Sequence, residues 1–154
     1  MDYENPWLLN ENIFTSEMIS DHIGFVYKIS NLDSGRFYIG KKLFTRAGRK
    51  QVKGKKKKIR VESDWKKYYS SSDELNADVK ELGIHMFRRE ILRLCKSKSE
   101  CTYYEAKYQF EYGVLESPNW YNEHIMARVH RKHLTFLKGV KDAPSSQKQT
   151  KKGK

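Results

Sequence analysis

Gly24-Phe25-Val26-Tyr27-Lys28-Ile29-Ser30, Asn31-Leu32-Asp33-Ser34-Gly35 and Arg36-Phe37-Tyr38-Ile39-Gly40-Lys41 follow one another without a break, and their reading decides the fold. The first run is rich in β-branched and aromatic residues and reads as a strand. The second supplies turn formers, and the third returns as a strand, so residues 24–41 form a β-hairpin. Alternation places Phe25, Tyr27 and Ile29 on one face of the first strand. On the second, Tyr38 and Gly40 share a face, with Phe37 and Ile39 on the other.

Working outward, Ser63-Asp64-Trp65-Lys66-Lys67-Tyr68-Tyr69 reads as a short helix capped by Ser63. A second helix runs from about Ser72 to Leu82 and stops at Gly83. Met86 to Leu94 alternates loosely and reads as a third strand. Ser97-Lys98-Ser99-Glu100 has capping-box spacing and opens a helix to about Leu115, with Tyr104, Tyr108 and Leu115 on its buried stripe. Pro118 follows, and a last helix is expected over roughly Asn122 to Leu137. The fold class is α+β, a small three-stranded antiparallel sheet flanked by helices. Residues 1–22 read as an N-terminal extension and 23–123 as the domain, with a basic insertion at 44–62. Residues 124–138 read as a basic C-terminal helix and 139–154 as a disordered basic tail.

The charge is unevenly placed. The chain has 154 residues, 31 Lys plus Arg, 19 Asp plus Glu and a net charge of +12; its mean hydropathy is −0.86 and its pI about 9.6. Residues 41–67 hold 13 of the basic residues and 128–154 hold nine, against three acids in the two segments together. The remainder carries 9 basic and 16 acidic residues, a mildly acidic body. Lys53-Gly54-Lys55-Lys56-Lys57-Lys58-Ile59-Arg60 repels itself and has little to bury, so it reads as an exposed, mobile loop. Its partner by charge is a phosphate backbone. No apolar run approaches the ~18 residues of a membrane span. The start, with Asp2, Glu4 and Glu11, lacks the charge pattern of a secretory or mitochondrial leader, and a cytoplasmic setting is expected. Cys95 and Cys101 read as reduced thiols; with His85 or His124 they lack zinc-ligand spacing. His124, His130 and His133 belong to a basic surface.

Gly24-Phe25-Val26-Tyr27, Tyr38-Ile39-Gly40, a mid-helix Glu105 and Tyr121-Asn122 together resemble the GIY-YIG nuclease superfamily over about residues 23–123. The first motif has Phe25-Val26 where the family has one apolar residue; the second is intact. The resemblance implies a metal-dependent endonuclease, with Mg²⁺ or Mn²⁺ as cofactor, in a phage or homing-type setting within a host cytoplasm. It implies Glu105 as the metal ligand, Tyr27 as general base, Tyr38 positioning water or phosphate, and Asn122 orienting the site. The family arginine on the first helix after the second motif has no direct counterpart: residues 64–69 offer Lys66 and Lys67 but no arginine, and of Arg46, Arg49 and Arg60 in the preceding loop, Arg60 is the choice for that role, with Tyr68 or Tyr69 one turn on.

The residue types suit phosphodiester hydrolysis. The reaction needs a cation against charge growing on the phosphate, a means of deprotonating water, and support for the leaving oxygen. One carboxylate with waters and a substrate phosphate is an ordinary Mg²⁺ arrangement. A phenol has a pKa of ~10 and is a base at neutral pH only where a nearby cation such as Lys41 lowers it. Lys53, Lys55, Lys56, Lys57, Lys58, Lys66, Lys67, Arg128, Arg131 and Lys132 are the candidate nucleic-acid contacts. Double-stranded DNA is the expected partner, with a homodimer as one way to cut both strands. The alternative is a non-catalytic nucleic-acid-binding protein on the same scaffold, which metal-dependent cleavage would separate from the enzyme.

Overall fold

Asn31 closes the hairpin. Its Oδ1 accepts hydrogen bonds from the N–H groups of Asp33 (2.9 Å) and Ser34 (3.1 Å), a side-chain turn that reverses the chain without further scaffolding. The computed structural model describes residues 3–134. In chain order these form β1 (Leu8–Leu9), β2 (Asn12–Ile13), β3 (Gly24–Asn31), β4 (Phe37–Leu43), β5 (Thr45–Val52), β6 (Lys55–Glu62), α1 (Asp73–Leu82), β7 (Phe87–Cys95) and α2 (Lys98–Glu111). Short 3-10 turns occupy Ser16–Met18, Ile84–Met86 and Arg131–His133.

The α+β class holds, but the sheet is larger than the expected three antiparallel strands. It has five strands in the order β2-β1-β7-β3-β4, and β1 runs parallel to β7. The antiparallel trio β7-β3-β4 is its centre. The two added strands are two residues each, too short to carry an alternation signal. The segment before β3 is packed into the domain, with Trp7 and Phe14 fully buried.

Strand β3 is covered on both faces, which is why its residues read as a nearly continuous apolar run. Phe25, Tyr27 and Ile29 meet Trp7, Phe44, Trp65, Tyr69 and Leu75 on one side. Val26 meets Ile39, Cys95, Cys101 and Tyr104 on the other, under α2. Between Val26 and Tyr27 the pairing to β7 skips from Arg93 to Ile91, leaving Leu92 as a bulge. Such a bulge re-aims the neighbouring side chain, and that neighbour is Tyr27.

Three local expectations are corrected. The basic insertion is not a mobile loop: β5 and β6 pair over eight residues each and turn through Lys53 (φ 49°) and Gly54 (φ 78°). Two successive positive φ values make the tight hairpin turn whose twist suits paired strands, and Gly54 makes it accessible. Residues 64–69 are a turn rather than a helix. The carbonyls of Lys66 and Tyr68, which a helix would use internally, accept from the Arg89 guanidinium at 2.9 and 2.7 Å. The helix expected over 122–137 is also absent among the described residues, where only the Arg131–His133 turn is helical. Asn122 is engaged elsewhere, and Arg128, Arg131 and Lys132 have no acid one turn away to offset their repulsion. Residues 135–138 and the basic tail 139–154 lie outside the described residues.

Helix α1 starts at Ser72, whose side chain accepts from Leu75 N, and stops at Gly83 as expected. Helix α2 starts at Ser97, but Glu100 reaches the N–H of Lys96 (2.7 Å) instead of that of Ser97. It ends at Glu111, four residues early, because Gly113 adopts a φ of 63° and turns the chain away. Val114 takes the buried position expected for Leu115, which is exposed.

Arg89 on β7 is fully buried, and among the described residues no carboxylate pairs with it. Its guanidinium donates to the carbonyls of Glu4, Asn5, Lys66 and Tyr68 and lies over the rings of Trp7 (4.6 Å) and Tyr69 (4.5 Å). Replacing it by methionine strands those carbonyls, so Arg89→Met is expected to lose about 3–5 kcal/mol in urea unfolding, much of a domain's ~5–15 kcal/mol. A loss below about 1 kcal/mol would mean that the carbonyls find other donors.

Candidate active site

The outer edge of β4 is only partly covered, and the candidate site lies where the cover ends. Residues 119–122 run alongside the edge: Phe37 N donates to Asn119 O (2.9 Å) and Tyr121 N to Phe37 O (2.8 Å). Asn122 completes the cover with its side chain. Its Oδ1 accepts from Ile39 N (3.1 Å) and its Nδ2 donates to Ile39 O (2.8 Å), which also accepts from Gln109 Nε2 (2.9 Å). By strand alternation the next outward-facing peptide belongs to Lys41. Asn122 thus caps no helix; its side-chain amide holds the Tyr-Ile-Gly strand in place.

Tyr27 and Gly40 are directly opposed across β3 and β4. A Cβ on residue 40 would lie 2.5 Å from the Tyr27 hydroxyl oxygen and 2.8 Å from the Tyr38 ring. Only glycine leaves room for both phenols, which gives the second motif its steric reason. Tyr27 is fully buried, with its ring edge-on to that of Tyr68 at 6.1 Å between centroids. The Tyr38 hydroxyl lies 3.0 Å from Ser71 Oγ, and Tyr68 sits under Lys42 Nζ at 4.0 Å. Burial raises the pKa of all three phenols, most strongly that of Tyr27.

Helix α2 brings Glu105 to the same edge. Its carboxylate lies 3.7 Å from Lys41 Nζ, which also donates to Thr102 Oγ1 (2.8 Å) one helical turn earlier. Burial raises the Glu105 pKa, and Lys41 and His124 offset part of that rise. Glu105 and Tyr38 line a cavity of about 460 Å³ with Gln109, Asn122, Glu123 and His124. Gln109 Oε1, one turn on from Glu105, is buried without a hydrogen-bond partner.

The expected residues separate into three groups. Tyr27, Tyr38, Lys41, Glu105 and Asn122 converge on the β4 edge. Arg60 does not join them: it lies on β6 and donates to Thr45 O (2.8 Å) and Oγ1. It lines a neighbouring basic cleft of about 410 Å³ with Lys41, Lys42, Arg46, Lys98 and Tyr68. Of its two suggested partners, Tyr68 reaches the cleft and Tyr69 is buried against Phe87 and Arg89. Lys53 and Lys55 to Lys58 are exposed on the β5–β6 ribbon. Lys66 lies 3.9 Å from Glu62, Lys67 is exposed on the turn, and Arg128, Arg131 and Lys132 are exposed on the C-terminal segment. Sequence reasoning missed Ser71, Lys42 and Thr102. The last was readable from its position three residues before Glu105, one turn along the same helix face.

A sequence model of the family described as "Putative endonuclease segE, GIY-YIG domain" matches residues 7–125. The chain belongs to the SegE GIY-YIG endonuclease family. No curated protein and no solved structure matches it. The match begins at Trp7, the first fully buried side chain of the SegE-type domain, so the segment before β3 lies within the family's span. Membership in an endonuclease family implies a nucleic-acid substrate. Among the described residues no helix is long and apolar enough to cross a membrane.

Two consequences can be measured. Gly40→Ala forces the Tyr27 and Tyr38 rings apart and is expected to lower stability by about 1–3 kcal/mol; unchanged thermal unfolding would show that the rings yield freely. For Glu105, a raised carboxylate pKa means the folded chain binds a proton that the unfolded chain has released. Stability therefore falls as pH rises through the window between the ordinary and the raised value. Without divalent ions, Glu105→Gln should exceed the parent in stability at neutral pH and match it below about pH 4. A less stable variant at neutral pH would mean that the Lys41 pair outweighs the burial.

Proposed function

We propose that this SegE-type domain hydrolyses phosphodiester bonds in double-stranded DNA with the help of Mg²⁺ or Mn²⁺. The observation that carries the reading is the convergence of Tyr27, Tyr38, Tyr68, Lys41 and the half-buried Glu105 on the uncovered end of β4. The residues fit a hard cation. Glu105 is a carboxylate that burial disfavours in its charged form, and Gln109 Oε1 beside it is an oxygen without a partner. Among the described residues no cluster of three or more His, Cys, Asp or Glu forms a cage. The fit is therefore to an ion that keeps most of its water, as Mg²⁺ does.

Bound there, the cation would offset charge growing on the phosphate and favour ionisation of neighbouring groups. Glu105 would hold it, with Gln109 one turn away. Lys41, within 4 Å of Glu105, is placed to meet a phosphate oxygen. Tyr38 lines the cavity and orients the attacking water. Tyr27, once it has lost its own proton to solvent, takes that of the water as a phenolate, and Tyr68, edge-on to it at 6.1 Å, lines the basic cleft. Because burial holds the phenols protonated, proton acceptance by Tyr27 depends on added positive charge near it. Asn122 keeps β4 in register as a positioning residue, and Arg60 binds phosphate from the cleft instead of acting at the scissile bond.

Supercoiled plasmid with Mg²⁺, Mn²⁺ or EDTA tests this. Nicking or linearisation is expected only with a divalent ion and is lost in Glu105→Gln. Tyr27→Phe should slow it by about 10²–10⁴-fold, the range for a lost general base. Linear product formed ahead of nicked circles would indicate paired copies cutting both strands. Intact plasmid that is nevertheless bound under every condition would leave the non-catalytic binding reading.

A further inference from the structure

The β5–β6 ribbon carries nine Lys or Arg and no acid between Thr45 and Val61. None of its residues belongs to either hydrophobic core. Isolated two-stranded ribbons are marginal in water, and like charges directly opposed destabilise them further. Here Arg49 faces Lys58 and Lys50 faces Lys57 across the ladder. The register also sorts the charge onto both faces. One face presents Lys50, Lys57 and Lys55 near the tip, and the other presents Arg49, Lys58, Lys56 and Arg60.

A polyanion lying flat against a ribbon would leave one charged face unpaired. Cations on both faces match a partner with negative walls on either side. The major groove of duplex DNA is such a partner, about 12 Å wide and able to admit a two-stranded ribbon. With eight residues per strand the ribbon extends about 26 Å at ~3.3 Å per residue. Its root opens into the basic cleft that Arg60, Arg46 and Lys41 share with Tyr68, so a continuous path of cations joins the ribbon to the site.

We propose that the β5–β6 ribbon enters the major groove beside the scissile phosphate and there makes the chain's main sequence-reading and backbone contacts. This rests on the duplex-DNA reading above. Gln51 lies directly opposite Lys56 on the Arg49 face, so it is the ribbon's one uncharged amide placed to read a base edge.

The test uses full-length Glu105→Gln protein, which leaves bound DNA intact, saturating a short duplex treated with dimethyl sulfate. The reagent methylates guanine N7 in the major groove and adenine N3 in the minor groove. Guanine N7 methylation is expected to fall several-fold while adenine N3 is unchanged. Adding Arg49→Ala, Lys50→Ala, Lys57→Ala and Lys58→Ala together should abolish the protection. It should also flatten the plot of log Kd against log salt by about 3–4, at ~0.9 for each phosphate no longer neutralised. Protection of adenine N3 instead, N7 protection that survives the four substitutions, or binding that protects neither base would overturn the proposal, as would no binding at all. Plasmid cleavage by the parent chain is read in parallel. N7 protection without cleavage would fail the nuclease reading alone, and cleavage without N7 protection would fail the ribbon alone.

Discussion

A guanidinium with no counter-ion among the described residues stands at the centre of this domain, and the rest of the packing is arranged to tolerate it. Moving a bare cation out of water costs several kcal/mol unless every donor is met. Arg89 meets that condition with carbonyls from two separate stretches, residues 4–5 and 66–68, and with the faces of Trp7 and Tyr69. A lysine could not replace it, because a single ammonium cannot present donors in a planar fork to two strands of backbone at once. The same contacts that satisfy the charge fix the backbone at Tyr68. The ring of Tyr68 in turn packs edge-on against Tyr27, so the core around Arg89 and the geometry of the site are connected.

On the opposite margin of the sheet the constraint is an unpaired edge. An exposed edge strand invites association with other chains, and β4 is protected over Phe37 to Ile39 by the segment that ends in Asn122. The side chain of Asn122 acts as one more peptide unit, donating and accepting in the same plane. Beyond it the strand opens at Gly40 and Lys41. That opening lets groups from both faces of the sheet meet: the phenols from the Trp7 side and Glu105 from the α2 side. The glycine at residue 40 is required by the space that the Tyr27 and Tyr38 rings occupy.

What could be read beforehand was whatever depended on local pattern. The β3–β4 hairpin, α1 with its Ser72 cap and Gly83 stop, the strand at 87–95 and the Ser97 start of α2 all follow from short-range rules. That Tyr27, Tyr38, Lys41 and Glu105 lie near one another was expected too, through the resemblance to the GIY-YIG pattern. Two of the failures share a cause in tertiary contact. Residues 64–69 have helical composition, but Arg89, distant in the chain, takes their carbonyls. Asn122 has the look of a cap, yet its amide is used on β4. Lysine repulsion hid the ribbon, although Lys53-Gly54 between alternating Val52 and Ile59-Arg60-Val61 carried the hairpin signal. Strands β1 and β2 are below the length at which periodicity has meaning.

The two basic systems stand in different relations to the core. Lys41 and Lys42 are tied to acids, Glu105 and Asp64, and their positions are fixed by packing around β4. The ribbon's cations oppose one another and owe nothing to the sheet beneath. Substitution on the ribbon therefore leaves Arg89, Tyr27 and Glu105 undisturbed, whereas substitution at the β4 edge propagates into the core through Tyr27 and Tyr68. Under the proposed reading, recognition and chemistry are carried by parts of one short chain that share a hinge of backbone at Phe44 and Ser63, joined by a hydrogen bond from Ser63 N to Phe44 O (2.9 Å). Changes in preferred DNA sequence can then accumulate on the ribbon without loss of fold, because its stability was never drawn from the hydrophobic interior.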